Sequence, residues 1–168
     1  FHTISFDEIV AYTIGSSCPV ITNTGNSAPT VTVPAGGFTI PISTPFALTG
    51  SATDPNGDVL TYCWEEFDLG AAGAPGSPVG DAPIFRSFNP TSSSTRTFPK
   101  LSDLLNNTST IGEILPTYTR NLKFRLTARD NRAGGGGVNY SLVNFSVTSG
   151  AGPFIVTSPN TNVLWTGN

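Results

Sequence analysis

Acidic side chains are concentrated in one stretch of the sequence, SATDPNGDVLTYCWEEFDLG, which spans residues 51–70. Glu65, Glu66 and Asp68 are close enough in sequence to suggest the paired carboxylates of a glycosidase, which needs one acid on each side of a cleft. The surrounding pattern predicts a β-strand, and neighbouring side chains of a strand point to opposite faces. We therefore expect Glu65 and Glu66 to be separated by the strand and not to act as a catalytic pair.

The Asp-Pro-Asn-Gly-Asp segment at the start of this stretch suggests a second kind of chemistry, the binding of Ca²⁺. Calcium takes about six to eight oxygen ligands from carboxylates, amides and carbonyls. If the strand after this segment pairs with the later strand NLKFRLTAR, the residue that follows the later strand comes to the same end of the sheet. The candidate ligands are then Asp54, Asn56, Asp58 and Asp130.

The same residues also have a purely structural explanation. Asp, Pro, Asn and Gly in this order favour a type I turn that begins at Asp54. Arg129 or Arg132 could neutralise Asp130 without any metal ion. Both interpretations predict the same turn, and they differ in whether the turn binds calcium.

Two cysteines, Cys18 and Cys63, permit one disulfide. Strand alternation puts Cys63 on the outer face of the sheet, so it is not the intersheet cysteine of antibody domains. A Cys18–Cys63 disulfide would tie the N-terminal segment across the outside of the sheet. The alternatives are two free thiols, or pairing of Cys18 with another domain.

The sequence gives little support for other catalytic or metal-binding sites. His2 is the single histidine, and the sequence contains neither an HExxH nor a CxxC motif. Nucleophilic triads and zinc sites both depend heavily on histidine. We expect this chain to have no catalytic activity of its own.

The charges are divided along the chain. Residues 1–85 hold eight acids and no base, and residues 86–132 hold all eight bases. The basic block could contact nucleic acid. The predicted sheet instead sets the strand of Glu65 beside the strand of Lys123, Arg125 and Arg129, where opposite charges pair. We therefore expect no nucleic-acid partner.

The composition is typical of an extracellular all-β module. Only 11% of the residues are charged, methionine is absent, and Thr, Ser, Gly, Pro and Asn are frequent. The sequence has no apolar run long enough for a membrane span and no visible signal peptide. Because the first residue is Phe1, we expect the chain to have been cut from a longer precursor.

Residues 1–18, FHTISFDEIVAYTIGSSC, predict a short helix. Ser5 and Glu8 have the spacing of a capping box, and Ile4 and Ile9 that of a hydrophobic staple. Gly15 is placed to end the helix. The helix would present an apolar side that needs a surface to pack against, formed by Phe6, Ile9, Val10 and Ile14.

A period of two begins at residue 28, after a polar linker over residues 19–27, and continues to residue 148. Several short alternating segments are separated by turn signals, with Trp64, Phe124 and Phe145 on the predicted inner faces. This pattern predicts an all-β fold, an immunoglobulin-like β-sandwich with a short N-terminal helix.

Two further segments lie outside this pattern. Residues 70–118 break the alternation with a Gly-, Pro- and Ala-rich stretch, which we interpret as an enlarged connection inside the sandwich. Residues 149–168 predict a new strand and the start of a following module, with Trp165 near the end. The four glycines after Ala133 are interpreted as a turn, because no Lys-Ser/Thr pair follows them as a phosphate loop requires.

Several motifs carry a family resemblance. ATDPNGDVLTYCWEEFD resembles the signature of PKD and cadherin-like extracellular modules. FHTISFDEIVAYTIGSSC resembles the last helix of reprolysin-type zinc metallopeptidase domains in secreted bacterial proteins. LTYCWE, FPKLSDLLN and FRLTARDNRAGGGG resemble the Ig-like module that follows such domains, so the resemblance covers most of residues 1–150.

The resemblance implies that residues 1–18 are the C-terminal helix of an upstream metallopeptidase domain, whose zinc ligands and catalytic glutamate lie outside this chain. Residues 28–148 would form a non-catalytic accessory module, a spacer or binding domain. The alternative is a cell-surface adhesion, glycan-binding or protein-binding module that uses residues 70–118. We expect a secreted or bacterial cell-surface monomer, with other domains of the same polypeptide as partners and Ca²⁺ as the one candidate cofactor.

Overall fold

The protein, described here by a computed structural model that covers residues 2–18 and 20–164, consists mostly of β-strands. Within these residues, an N-terminal helix is followed by eight strands and one short helix. The elements are α1 (Thr3–Gly15), β1 (Thr30–Thr32), β2 (Thr39–Pro41), β3 (Phe46–Thr49), β4 (Ser51–Thr53), β5 (Thr61–Glu66), β6 (Thr95–Phe98), α2 (Leu101–Asn106), β7 (Arg120–Arg129) and β8 (Val138–Thr148).

The strands form three sheets. The largest has four strands in the order β2-β8-β7-β5, in which β7 is antiparallel to both neighbours and β2 is parallel to β8. The other two are antiparallel pairs, β1 with β4 and β3 with β6. Rings of β3 and β6 contact the inner face of the large sheet, an arrangement compatible with the predicted β-sandwich.

The core is built largely from aromatic rings, and Phe46 lies at its centre. Its ring centroid lies 5.0 Å from that of Phe98 and between 5.6 and 6.0 Å from those of Phe85, Phe124 and Phe145. Such stacked and edge-to-face pairs add to the stabilisation from burial of apolar area. The predicted inward positions of β5, β7 and β8 are confirmed, since Trp64, Leu122, Phe124, Leu126, Ala128, Val143, Phe145 and Val147 are all buried.

Gly50 allows the two layers to approach each other between β3 and β4. A Cβ atom at this position would lie 2.3 Å from Leu126 Cδ2 and 2.8 Å from the carbonyl oxygen of Thr32. The absence of a side chain is therefore a packing requirement here, because cores are filled to crystal-like density.

The start of α1 differs from the sequence prediction. The helix begins at Thr3, two residues before Ser5, and its N-cap residue His2 makes no side-chain capping hydrogen bond. The predicted capping box and hydrophobic staple are therefore wrong. Glu65 of β5 takes over the role of the cap, because its carboxylate accepts the backbone N–H of Thr3 at 3.0 Å and also the Thr3 hydroxyl. The predicted stop at Gly15 is confirmed.

The helix covers part of the outer face of the large sheet, opposite the core. Glu65, Arg125 and Thr127 point outward by alternation, yet their exposed fractions are 5%, 3% and 0%. The expected apolar side of α1 is covered only in part. Phe6 is half-buried, whereas Ile9, Val10 and Ile14 remain exposed at 48%, 49% and 79%.

The segments outside the alternating pattern differ in how much regular structure they contain. Residues 70–118 contain β6, α2 and an isolated bridge between Phe85 and Glu113. Residues 20–27 have no regular structure, although two of them bond to loops of the sheet. The new strand expected after residue 148 is not found within residues 149–164, and Pro19 and Trp165 lie outside the described residues. In the part of the chain that the structure describes, no helix is long and apolar enough to cross a membrane.

We predict that Gly50→Ala lowers the free energy of unfolding by about 1–3 kcal/mol, because the added methyl group overpacks the core against Leu126. Urea unfolding measures the change. Gly73→Ala is the matched control, since a Cβ at Gly73 meets no described atom within 4 Å. Equal stability of the two variants would contradict the packing role of Gly50.

Candidate functional site

The acidic loop before β5 forms the predicted turn. The N–H of Gly57 donates to the carbonyl oxygen of Asp54 at 3.2 Å, and Gly57 has a positive φ of 78°. The Asp54 carboxylate also accepts the backbone N–H groups of Asn56 (2.9 Å) and Asp58 (3.0 Å) through Oδ1. Side-chain acceptance of this kind fixes the loop locally, as aspartate commonly does at the start of turns.

Asp130, at the end of β7, is the most buried acid of this end of the sheet, with 3% of its surface exposed. Its carboxylate accepts the N–H groups of Arg132 and Gly137, and the Asn26 side-chain amide donates to Oδ2 at 2.6 Å. Burial opposes its ionisation, but these hydrogen bonds and the charge of Arg132 together lower its pKa. Asp130 is therefore an ionised, firmly held carboxylate.

The predicted convergence of acids is confirmed. Asp54, Asp58 and Asp130 each direct one carboxylate oxygen to a point where these atoms lie within 4.8 Å of one another. Asn56 does not supply a free oxygen in the same way, because its Oδ1 accepts the N–H of Ser27 at 2.8 Å. The pairing of β5 with β7 explains the convergence, since it joins Thr61 to Arg129 and so brings the two loops to one end.

This acidic cluster has features that fit a hard cation. Among the described residues, Asp54 Oδ2 is a buried oxygen without a hydrogen-bond partner. Three carboxylates near one point repel one another, and a divalent ion would relieve this repulsion. Arg132 provides part of the compensation, with Nη1 at 3.4 Å from Asp58 Oδ2. The donor set therefore suits Ca²⁺ through Asp54, Asp58 and Asp130.

The glycine run after Ala133 also serves this end of the sheet. A Cβ on Gly137 would lie 2.8 Å from Asp130 Oδ2, and one on Gly136 would lie 3.1 Å from Asp130 Oδ1. Larger side chains would push the loop away from the carboxylate. Sequence reasoning recognised the turn but missed this reason for the glycines, and it missed Asn26, which no motif marks.

The two adjacent glutamates of β5 occupy separate environments, as predicted. The Glu65 carboxylate lies on the outer face, with His2 Nδ1 and Ser87 Oγ each 2.9 Å from Oε1. Glu66 lies on the core side, where Oε2 accepts the N–H groups of Ile84 and Phe85 at 2.6 Å. The two carboxylates therefore do not face a common cleft.

Glu66 shares a buried polar cluster with Asp68 and Arg120. Arg120 Nη2 lies 3.4 Å from Glu66 Oε1 and 3.7 Å from Asp68 Oδ2. The pKa of Glu66 is raised to about 8, chiefly by burial; the N–H groups of Phe85 and Ile84 act to lower it, and the hydrogen bond with Asp68 acts to raise it. Since one guanidinium balances one carboxylate, Glu66 retains its proton at neutral pH and donates it to Asp68.

The predicted Cys18–Cys63 disulfide is not formed in this structure, and both cysteines are free thiols. Cys63 lies beneath residues 87–90, and its Sγ donates to the carbonyl oxygen of Phe88 at 3.2 Å. Burial, followed by the charge of Glu65, raises its pKa. The orientation of α1 gives the reason: its first residue lies on the sheet, so thirteen helical residues, about 20 Å, carry Cys18 away.

The acidic and basic blocks of the sequence do meet in the fold. Arg120, Arg125 and Arg132 of the basic block contact acids of the first block, namely Glu66, Asp68, Asp7 and Asp58. Arg125 lies opposite Glu65 in the strand register, but its guanidinium binds Asp7 of α1 at 2.8 Å.

We predict that the unfolding free energies of wild type and Glu66→Gln diverge as pH rises. The folded-state pKa of Glu66 is raised from 4.5 to about 8, so the folded wild type holds an extra proton between these values and loses stability toward high pH. The glutamine keeps an oxygen for the N–H groups of Ile84 and Phe85 and a donor toward Asp68, and it does not titrate. Its advantage should grow by about 2–4 kcal/mol between pH 5 and pH 9.

Urea unfolding across this range gives the comparison, and Glu8→Gln, at an exposed helix position, serves as the control that should follow the wild type. A constant difference between Glu66→Gln and wild type at all pH values would show that Glu66 is ionised throughout.

Comparisons with protein-family models, with curated proteins and with solved structures each find no match for this chain. The function is therefore inferred from the residues and their arrangement.

Proposed function

We propose that this chain is a non-catalytic, immunoglobulin-like accessory module of a secreted multidomain protein. Its main role is that of a spacer, which fixes the distance and direction between the segments before and after it. The single observation that carries this proposal is the buried polar contact between α1 and the outer face of the large sheet. A helix held in this way transmits the orientation of the sandwich to the chain that precedes it.

Glu65 provides the first half of this contact. It is 5% exposed and accepts hydrogen bonds from the first turn of α1, whose N-terminal N–H groups favour a negative partner. The Thr3 hydroxyl also contacts Thr127 Oγ1 at 2.8 Å. Loss of the helix would leave the Glu65 carboxylate and the Thr127 hydroxyl without the groups of Thr3 that they contact. Such a loss is unfavourable for buried polar groups.

Arg125 provides the second half. Its guanidinium lies between the rings of Phe67 and Tyr140, at 3.8 and 3.7 Å from their centroids, and it binds Asp7 of α1 at 2.8 Å. A planar cation between two aromatic faces has little freedom to move. The position of Asp7, and with it the direction of α1, is thereby restrained at a second point.

The family resemblance supplies the context for this role. If residues 1–18 end a reprolysin-type zinc metallopeptidase domain, the docked helix holds that domain to the sandwich through its own contacts, in addition to the linker of residues 19–27. The parent protein would then be secreted, or held at the bacterial cell surface. The partners would be the other domains of the same polypeptide, and the chain would be a monomer.

Calcium binding is a further part of the proposal. Asp54, Asp58 and Asp130 would hold the ion at the end of the sheet where the loop before β5 meets the loop after β7. The ion would supply charge neutralisation and cross-link the two loops. It would also neutralise the buried oxygen Oδ2 of Asp54. This end also contacts the N-terminal linker through Asn26, so the ion would stiffen the module where the linker passes.

A second candidate function is recognition of a protein or glycan surface, as in an adhesion module. The observation that favours it is the character of residues 70–118, which are not uniformly polar at the surface. They expose Phe88 and several aliphatic side chains, namely Val79, Leu101, Leu105 and Ile111. Exposed apolar groups on a long connection are a common basis for binding.

We predict that the distance between α1 and the sandwich has one narrow distribution. Spin labels at Tyr12→Cys and Ser51→Cys, in a Cys18→Ser background, report it by electron–electron double resonance, since both sites are exposed. Asp7→Asn should increase the undocked population about tenfold, because it removes a charged hydrogen bond to buried Arg125.

Glu8→Gln removes a neighbouring acid that makes no such contact and should leave the distribution unchanged. If the wild-type distribution is as broad as that of Asp7→Asn, the helix is not fixed and the spacer role is wrong.

We predict that Ca²⁺ at millimolar concentration raises the melting temperature of chelator-treated protein and releases or absorbs heat in calorimetric titration. Asp54→Asn should abolish most of this response, because it removes the negative charge of the carboxylate that contains the buried oxygen Oδ2. The amide oxygen of asparagine can still accept the N–H groups of the turn. Glu8→Gln should respond as the wild type does. Absence of both heat and stabilisation in the wild type would rule out the site.

A further inference from the structure

Strand β8 has a free edge along its first half. It pairs with β7 over almost its whole length, whereas β2 pairs on the other side only with residues 146–148. The backbone groups of an antiparallel strand alternate between its two sides. The N–H of Ser146 points away from β7, because it donates to the carbonyl oxygen of Phe38 at 3.0 Å. By this alternation the backbone groups of Tyr140 and Leu142 point to the same side.

Three backbone groups of this edge have no hydrogen-bond partner among the described residues, namely the carbonyl oxygen of Tyr140 and both the N–H and the carbonyl oxygen of Leu142. The N–H of Tyr140 differs, because the side-chain oxygen of Asn139 accepts it at 2.8 Å. Exposed strand edges are usually blocked by charged side chains, by proline or by a bulge. Residues 138–143 contain no charge and no proline, and their register with β7 is continuous. The edge is therefore open to pairing with another strand.

Helix α1 crosses the outer face of the large sheet toward this edge. Thr3 contacts Glu65 of β5, and Asp7, one turn later, binds Arg125 of β7. Val10, after a further turn, lines a groove together with residues of β8. The strands lie in the order β5-β7-β8, so successive turns of the helix lie over successive strands. The helix continues for about 7.5 Å after Val10 and so projects beyond β8.

The projecting part of α1 leaves apolar side chains uncovered. Thr3, Asp7, Val10 and Ile14 share one side of the helix, because they are three or four residues apart. Along this side the exposed fraction rises from 2% at Thr3 to 49% at Val10 and 79% at Ile14. The groove between this side and β8 has a volume of about 430 Å³. Since neighbouring strands lie about 4.8 Å apart, the space beneath the projecting helix has the width of one further strand.

We propose that an extended, uncharged peptide segment of a partner protein binds as an additional strand at the edge of β8, beneath α1. Its main chain pairs with the free groups of Tyr140 and Leu142, and its outward side chains contact Val10 and Ile14. Strand addition of this kind gains affinity from main-chain hydrogen bonds and selectivity from pockets for alternate side chains.

The lining of the groove sets the chemistry of this segment. Asp7 is the one charged residue among the described residues of the lining, and it is already paired with Arg125 at 2.8 Å. A charged segment therefore finds no counter-charge there. The groove is also continuous with the contact between α1 and the sheet, since Thr3 and Asp7 belong to both. An added strand extends an interface that the fold already contains.

A second copy of this chain fits the edge less well. Two antiparallel β8 strands related by a two-fold axis would carry their α1 helices on the same face of the joined sheet. Each helix would then project over a strand that the other helix already covers. A single peptide strand brings no helix with it. The groove exists only while α1 is docked, so the peptide site rests on the docking that carries the spacer role.

The test uses the ¹⁵N-labelled full chain and blocked peptides of about seven residues, in which threonine alternates with valine, leucine or phenylalanine, at about 1 mM. With at least one of them, amide hydrogen exchange of Leu142 should slow about tenfold or more, because its free N–H gains an acceptor. Methylation of alternate main-chain nitrogens, in each of the two registers, keeps the side chains of that peptide. It should weaken binding about tenfold in the register that pairs with β8.

Two variants test the edge and the helix separately. Leu142→Pro should weaken binding about tenfold, because it removes the outward N–H and spares the pairing with β7. Leu142→Val keeps this N–H and should weaken binding less than about threefold. Val10→Asp puts a charge into the groove wall and should also weaken binding about tenfold. Tyr12→Asp is its matched control, since Tyr12 is 77% exposed on the opposite side of α1, and should bind as the wild type does.

The peptide site is overturned if none of the three peptides slows exchange of Leu142, or if both methylated forms bind as tightly as their parent. Equal binding of peptides in which glutamate or lysine alternates with threonine also overturns it. A wild-type dimer in sedimentation that Leu142→Pro dissociates would show that a second copy occupies the edge. If the spin-label distances show a docked helix and no peptide binds, the groove alone is wrong, whereas an undocked helix overturns the spacer role as well.

Discussion

The antiparallel register of β5 with β7 is the constraint on which the other features of this protein depend. It sets Trp64 opposite Leu126 on the core face and Glu65 opposite Arg125 on the outer face. It also joins Thr61 to Arg129, which brings the acidic loop before β5 to the loop after β7. A slip of one residue would turn every side chain of β5 to the other face. The core, the helix contact and the acidic cluster would then be lost together.

The outer face of the large sheet has two halves, which differ in how their polar side chains are used. In one half, Glu65, Arg125 and Thr127 are polar but buried, and α1 satisfies them through Thr3 and Asp7. In the other half, Asn121, Lys123 and Asn144 are polar and exposed, and their side chains have no hydrogen-bond partner among the described residues. The first half makes the helix an integral part of the sandwich.

The charged groups are arranged differently at the two ends of the large sheet. At one end, three carboxylates converge with only Arg132 as an opposing charge, which suits a divalent cation. At the other end, Glu66, Asp68 and Arg120 form a buried cluster in which a retained proton keeps the charge balanced. The first end is expected to respond to calcium and the second to pH. The two effects on stability can therefore be separated.

The sequence alone determined the features that depend on local pattern. A period of two predicted the strands and their inward residues, and the Asp-Pro-Asn-Gly-Asp segment predicted its turn. With the assumed pairing of two strands, it also predicted the convergence of Asp54, Asp58 and Asp130. These predictions succeed because alternation and turn chemistry follow from neighbours in the chain. The role of Asn26 had no comparable local signal.

Only the tertiary structure decided which distant residues become partners of one another. The capping box at Ser5 and Glu8 was a sound local pattern, but the buried Glu65 carboxylate caps the helix two residues earlier. The disulfide was predicted because Cys63 lies on the outer face of the sheet, yet the direction of α1 takes Cys18 away from Cys63. Both errors have one cause. A buried charged group requires its partners so strongly that it overrides weaker preferences coded nearby in the sequence.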